Sequence, residues 1–173
     1  MKLVTSNSQS YLPKNCYTGV GSRDTPPHIL DIMTKLATKL SPHYTLRSGG
    51  ATGADSAFEK GAEFAVIYYA NDATPEAIQL ASQYHPAWHR CSDYVRRLHG
   101  RNSFQVLSQD LTTPSEFLLC WTPDGAISHQ ERIKSEKTGG TGTAISIASV
   151  YNVPVFNLYR YDHFMIAVEW INK

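Results

Sequence analysis

The stretch YTLRSGGATGADSAFEKGA, residues 44–62, decides the fold. YTLRS reads as a strand, the glycines break the chain, and from about Ala54 to Gly61 the pattern turns helical. Glycine-rich turns that run into a helix recur in YTGVGSRDTPP, residues 17–27, and in KTGGTGTAISIAS, residues 137–149. Glycine lets the backbone come close to a ligand, and a helix N-terminus offers unpaired N–H groups at the positive end of its dipole. Three such turns point to one composite anion site.

Working outward, the first strand lies around Cys16–Thr18. A helix follows Pro26 and Pro27 and buries Ile29, Ile32, Met33, Leu36 and Leu40, proline being well suited to a first helical turn. FAVIYYA (64–70) is a strand, and TPEAIQLASQYH (74–85) a helix capped by Thr74. A further helix runs from Ser92 to Leu107 and leads to the strand EFLLCW (116–121). The polar segment TPDGAISHQERIKSEKTGG (122–140) is expected to be a loop with a small hairpin or a mobile flap. TAISIASVYN (143–152) is a helix, PVFNLY (154–159) a strand, and HFMIAVEWINK (163–173) a closing helix. Strands alternating with helices give an α/β fold: a mostly parallel sheet flanked by helices on both faces. No repeat or linker interrupts it, so the chain is expected to be one domain with a short N-terminal extension over residues 1–14.

The 173 residues suffice for a sizeable core, and 42% hydrophobic with 18% charged content is that of a folded globule. Sixteen Lys plus Arg against fifteen Asp plus Glu give a formal charge of +1, which argues against a dedicated nucleic-acid binder. Nucleic-acid contact is therefore expected to be weak. Cys16, Cys91 and Cys120 have no C-x-x-C spacing, and His85, His129 and His163 have no repeating spacing, so neither disulfides nor a metal nor a cofactor is expected. No apolar run approaches a membrane span, which makes a cytoplasmic location and the absence of a membrane partner the expectation.

In open parallel sheets, ligands bind beyond the carboxyl ends of the strands, where all three glycine turns fall. Gly21 with Ser22 and Arg23 form the first candidate cradle, Arg23 either gripping a phosphate or pairing with Asp24. Ser48, Gly49, Gly50 and Ala51 form the second, with Asp55 either holding a ribose hydroxyl or capping its helix. Thr138, Gly139, Gly140, Thr141, Gly142 and Thr143 form the third, donating backbone N–H groups and hydroxyls. Trp121 ends a strand, placed either to stack on a base or to cap the core. WHRCSDYVRRLHGRN (88–102) is basic, and is either a solvated helix face or a stacking and gripping surface. Neither G-x-G-x-x-G nor G-x-x-x-x-G-K-[ST] is present, which disfavours a dinucleotide dehydrogenase and a Walker ATPase.

TGVGSR, RSGGATGADSAFEKGA and TGGTGTAISIA followed by VPVFNL resemble the Rossmann-like SLOG superfamily across roughly residues 16–158. That superfamily includes DNA-processing protein A (DprA), the lonely-guy (LOG) phosphoribohydrolases and sensors of nucleotide-derived signals. The small DprA-like proteins of bacteriophages are the most similar, through RN at Arg101–Asn102 and CWTPDG at 120–125. The resemblance implies a nucleotide or nucleotide-derived ligand, a homo-oligomer, and Arg101 and Asn102 turned toward the glycine loops. LOG enzymes carry P-G-G-x-G-T-x-x-E; here Thr138 replaces the proline and Ser146 the glutamate. Glu59 and Glu63 are the candidate substitutes for that acid. Three functions follow as expectations: non-catalytic capture of a nucleotide-derived second messenger, LOG-like phosphoribohydrolase activity through a displaced carboxylate, and DprA-like single-stranded DNA binding.

Overall fold

In the computed structural model, which describes residues 2–3 and 15–173, six strands form one sheet. They are β1 (Lys2–Leu3), β2 (Asn15–Gly19), β3 (Tyr44–Ser48), β4 (Phe64–Ile67), β5 (Leu118–Cys120) and β6 (Val155–Asn157). Every pairing is parallel, in the order β1-β4-β3-β2-β5-β6. Within the expected extension over residues 1–14, Lys2–Leu3 form an edge strand beside β4, and the rest of that stretch lies outside the described residues. Two residues are too short to leave a periodic signal.

Among the described residues are seven α-helices, six between strands and one after β6: α1 (Pro27–Leu40), α2 (Ala54–Gly61), α3 (Pro75–Ser82), α4 (Asp93–Leu107), α5 (His129–Arg132), α6 (Thr141–Val150) and α7 (Tyr161–Asn172). The chain is an α/β domain of Rossmann-like arrangement. On one face Ile29, Met33 and Leu36 of α1 and Phe58 of α2 pack on Tyr17, Leu46 and Leu119, with Trp170 of α7 beside them. On the other, Val106 and Leu107 of α4 and Ala144, Ile145 and Ala148 of α6 meet Leu118 and Cys120. The side chains of 117–121 therefore alternate between the two cores, as the pleat of a fully buried strand requires. Each large aliphatic chain sealed this way contributes about 2 kcal/mol.

Caps set the helix starts. Thr74 Oγ1 accepts from the N–H of Ala77 at 3.3 Å, Ser92 Oγ from Val95 at 3.3 Å, and Pro27 occupies the first turn of α1. On α1, Ile29, Met33 and Leu36 are buried as expected, while Ile32 and Leu40 are only partly covered.

The segment 122–140 departs from the hairpin or flap expected of it. Ser128 caps α5 by accepting from Glu131 N–H at 3.2 Å, and Arg160 clasps the Glu131 carboxylate through Nη2 at 2.8 and 2.9 Å. Arg160 Nε also donates to Gly125 O at 2.7 Å, and buried Asn157 donates through Nδ2 to Ala126 O at 2.9 Å. These partners lie some thirty residues away in sequence, out of reach of any local pattern. No helix among the described residues is long and apolar enough to cross a membrane.

Candidate functional site

The chain builds β2, β3 and β4 outward in one direction, then returns to place β5 on the other side of β2. At such a reversal the loops leaving neighbouring strands splay apart, and a cleft opens at their carboxyl ends. Here it has a volume of about 480 Å³ and takes residues from all three glycine turns and from α4.

Gly21, Ser22 and Arg23 line its first wall. The N–H of Ser22 donates to Trp121 O at 3.1 Å, which pins the turn to β5, and Ser22 Oγ accepts from Asp24 N–H at 3.1 Å. Arg23 is exposed at the rim, and no ion pair joins it to Asp24 among the described residues.

The second turn differs from the cradle expected of it. Gly49 and Ala51 donate their N–H groups to Asp55 Oδ2 at 3.2 and 3.3 Å, and Gly50 donates to Glu59 Oε1 at 3.0 Å, as does the Ser48 hydroxyl at 2.7 Å. Two carboxylates of α2 thus satisfy the donors that a phosphate would need. Only Ala51 and Asp55 of this region line the cleft; Ser48, Gly49 and Gly50 do not. Asp55 neither caps α2 nor stands free, but turns back on the loop that precedes it. Burial is the main cause that pushes its carboxyl from 3.8 up to about 6, opposed by the Arg101 guanidinium and the two N–H bonds.

Arg101 and Asn102 both line the cleft. Arg101 Nη1 donates to Gly49 O at 2.5 Å and Asn102 Nδ2 donates to Gly140 O at 3.1 Å, so neighbouring residues of α4 hold the second and third turns. A Cβ on Gly49 would lie 2.6 Å from the Arg101 guanidinium carbon, which is why this position takes glycine.

The third turn is the open one. Gly139 has φ of +63°, and a Cβ built on Gly139 or Gly140 would meet nothing within 4 Å. α6 starts immediately after, with no side chain capping its first N–H groups and no acidic residue in its first turn. Gly139, Gly140 and Thr141 line the cleft, as does Thr138, whose hydroxyl is turned to Asp124. Gly142 and Thr143 do not line it: Arg132 covers Gly142, and Thr143 Oγ1 lies 2.9 Å from His99 Nδ1. Burial works to raise the Asp124 carboxyl, yet hydrogen bonds from Ser135, Thr138, Thr122 and the Ala126 N–H bring it below its ordinary value.

Trp121 is buried against Tyr159 in the core and is not a cleft residue, so it is not placed to stack on a base in the cleft. The basic segment divides. Arg96 lies 3.8 Å from Asp93 and 5.7 Å from the Trp88 ring centroid, Arg97 is exposed, and His99 and Arg101 face inward to the cleft. Burial, then His85, Arg132 and Arg101, push the His99 imidazole down to about 4, so it is neutral at pH 7.

Sequence reasoning missed Gln105. Its side chain is fully buried, lines the cleft, and has neither amide atom in a hydrogen bond. Its place in an otherwise apolar helix turn, FQVL, was the available signal. Spacing also hid a cluster: one donor atom each from His85, Cys91 and His99 lie within 4.8 Å of one another.

No family model, no curated protein and no solved structure matches the chain.

Proposed function

We propose that the cleft binds the phosphate of a nucleotide-derived small molecule and holds it intact. The observation that carries this reading is the start of α6, which no side chain caps and which lines the same cleft as Arg23 and Arg101. The positive end of a helix dipole and two guanidinium groups then share one space. Unpartnered Gln105 supplies a donor and an acceptor on the same wall, the equipment needed to read a polar base or sugar edge. The likeness of the glycine turns to the SLOG superfamily supports the same ligand class and, through the phage DprA-like proteins, a role in sequestering a signalling nucleotide in a host cytoplasm.

Binding without turnover fits the acids. Ser146, at the LOG glutamate position, is fully buried with Oγ 3.0 Å from His129 Nδ1, and it does not line the cleft. Glu59 is committed to Ser48 and Gly50, and exposed Glu63 lies outside the cleft. A serine hydroxyl, neutral at working pH, cannot offset an oxocarbenium-like charge.

One observation favours a second reading, a phosphoribohydrolase. Asp55 lines the cleft beside Arg101 with a carboxyl at about 6, where a general acid or base works near neutral pH. The discriminating experiment incubates stoichiometric protein with nucleoside monophosphates, ADP-ribose derivatives and cyclic nucleotides, then denatures it and separates the products. Recovery of one depleted compound intact is the expected result. Repeated release of free base, abolished by Asp55→Asn, would replace it with the enzymatic reading, and depletion of no compound would remove both.

A further inference from the structure

We propose that His85, Cys91 and His99 bind a single Zn²⁺ ion, which clamps the α3–α4 connection onto α4 and keeps a fourth coordination position beside the cleft. The proposal rests on donor geometry alone and stands apart from the phosphate reading. Residues 83–92 form the connection: His85 follows α3, Cys91 precedes the Ser92 cap, and His99 projects from the second turn of α4. Cys91 Sγ is 3.8 Å from His85 Nδ1 and 3.9 Å from its Nε2, and the two imidazole centroids are 4.4 Å apart. Tetrahedral zinc, with bonds of about 2.0 Å to nitrogen and 2.3 Å to sulfur, needs donor atoms about 3.3–3.8 Å apart. Small side-chain rotations close the remaining gap from the 4.8 Å limit within which all three donors already lie.

The chemistry of the set selects the metal. Two imidazoles and a thiol with no carboxylate form a borderline-soft site, suited to zinc and poor for magnesium or calcium. The His99 Nδ1 contact with Thr143 Oγ1 gives this ring an outer partner, and a proton held on Nδ1 leaves Nε2 with the lone pair a metal takes. His85 Nδ1 accepts from Ala87 N–H at 3.2 Å, so on zinc binding this ring either gives up that bond and ligates through Nδ1 or loses the proton from Nε2 and ligates there. The charges facing the cluster are Arg132 and Arg101, both of which act against a cation there. Binding therefore depends on the Cys91 thiolate: its S–H proton goes to solvent as the Zn–S bond forms, which removes one positive charge from the site. Three protein ligands leave the fourth position to water or to a ligand oxygen, and His99, which also lines the cleft, sets that position at the cleft's edge.

The test uses the full chain, stripped with a chelator and reloaded with Zn²⁺ or Co²⁺ alone. One zinc per chain should survive dialysis against a weak competing chelator, and Co²⁺ should give a thiolate-to-cobalt charge-transfer band. Cys91→Ser should abolish the band and weaken zinc at least about 100-fold, beyond the range for loss of an outer partner only. Thr143→Val should weaken it about tenfold with the band retained, and Cys16→Ser should change neither. Substoichiometric zinc in the reloaded wild type, or a cobalt–thiolate band that persists in Cys91→Ser, would overturn the proposal. Because the wild-type reading needs no variant, a misfolded variant cannot rescue it.

Discussion

Asp55→Asn isolates the cost of keeping a carboxylate in the wall of the cleft. In the folded chain burial raises this carboxyl from 3.8 to about 6. Between those values the native state holds a proton that the unfolded chain has released, so stability declines as pH climbs from about 4 to about 6 and is flat above. At about 1.4 kcal/mol per pKa unit, the full penalty above pH 6 is about 3 kcal/mol. The asparagine amide keeps the oxygen that accepts from Gly49 and Ala51 and carries no charge, so the substitution should remove the penalty while retaining the loop. Urea denaturation of both proteins from pH 4 to pH 8 reads the effect directly. The variant should gain on the wild type by about 3 kcal/mol between pH 4 and pH 7. A difference that stays constant across this range would refute the reasoning, because it would mean that Asp55 titrates alike in both states. Affinity should shift in the same sense: a phosphodiester, which does not itself titrate here, should bind the wild type more tightly as pH falls through about 6, and the variant equally at all these values.

Gly140→Val should abolish phosphate binding in calorimetry and leave the thermal melt nearly unchanged, since the added side chain enters open space and the backbone there is already at φ −62°. Arg47→Leu should lower stability by about 1–3 kcal/mol in urea, because buried Arg47 donates to Thr113 O at 2.8 Å and to Val106 O and Ser115 Oγ at 3.3 Å; Thr113 O loses this donor, while Val106 O keeps the Ser115 N–H at 2.8 Å. Single-stranded oligonucleotides should bind no tighter than about micromolar, the level of non-specific contacts; nanomolar, steeply salt-dependent binding in a fluorescence titration would favour recombination mediation.

How far the fold and the cleft could be read from residues depends on how local the cause is. The α1 stripe of Ile29, Met33 and Leu36, the Thr74 cap and the first two strand–glycine–helix turns are set by neighbours within a few positions, and they were legible. The convergence of the three turns on one cleft followed from a general rule about parallel sheets. Two things were out of reach. The N–H groups of Gly49, Gly50 and Ala51 looked available because nothing local says that Asp55 and Glu59, one and two helical turns on, fold back to take them. The His85–Cys91–His99 group needs two loop residues and one helix residue to meet, and spacing rules describe only motifs with a fixed local geometry.

The grip of Arg101 and Asn102 on the second and third turns has a mechanical consequence. Consecutive residues on a single helical turn fasten the second and third glycine turns, so the gap between those turns is a dimension of α4 itself and is fixed when that helix docks. Ordering a free loop costs about 1–2 kcal/mol per residue, and here that loss falls at folding. A ligand that matches the gap meets banks already at rest, while one slightly too wide must strain a helix packed against α3 and α6. On the proposed phosphate reading, the cleft would then act as a calliper, selecting for length before any base is read.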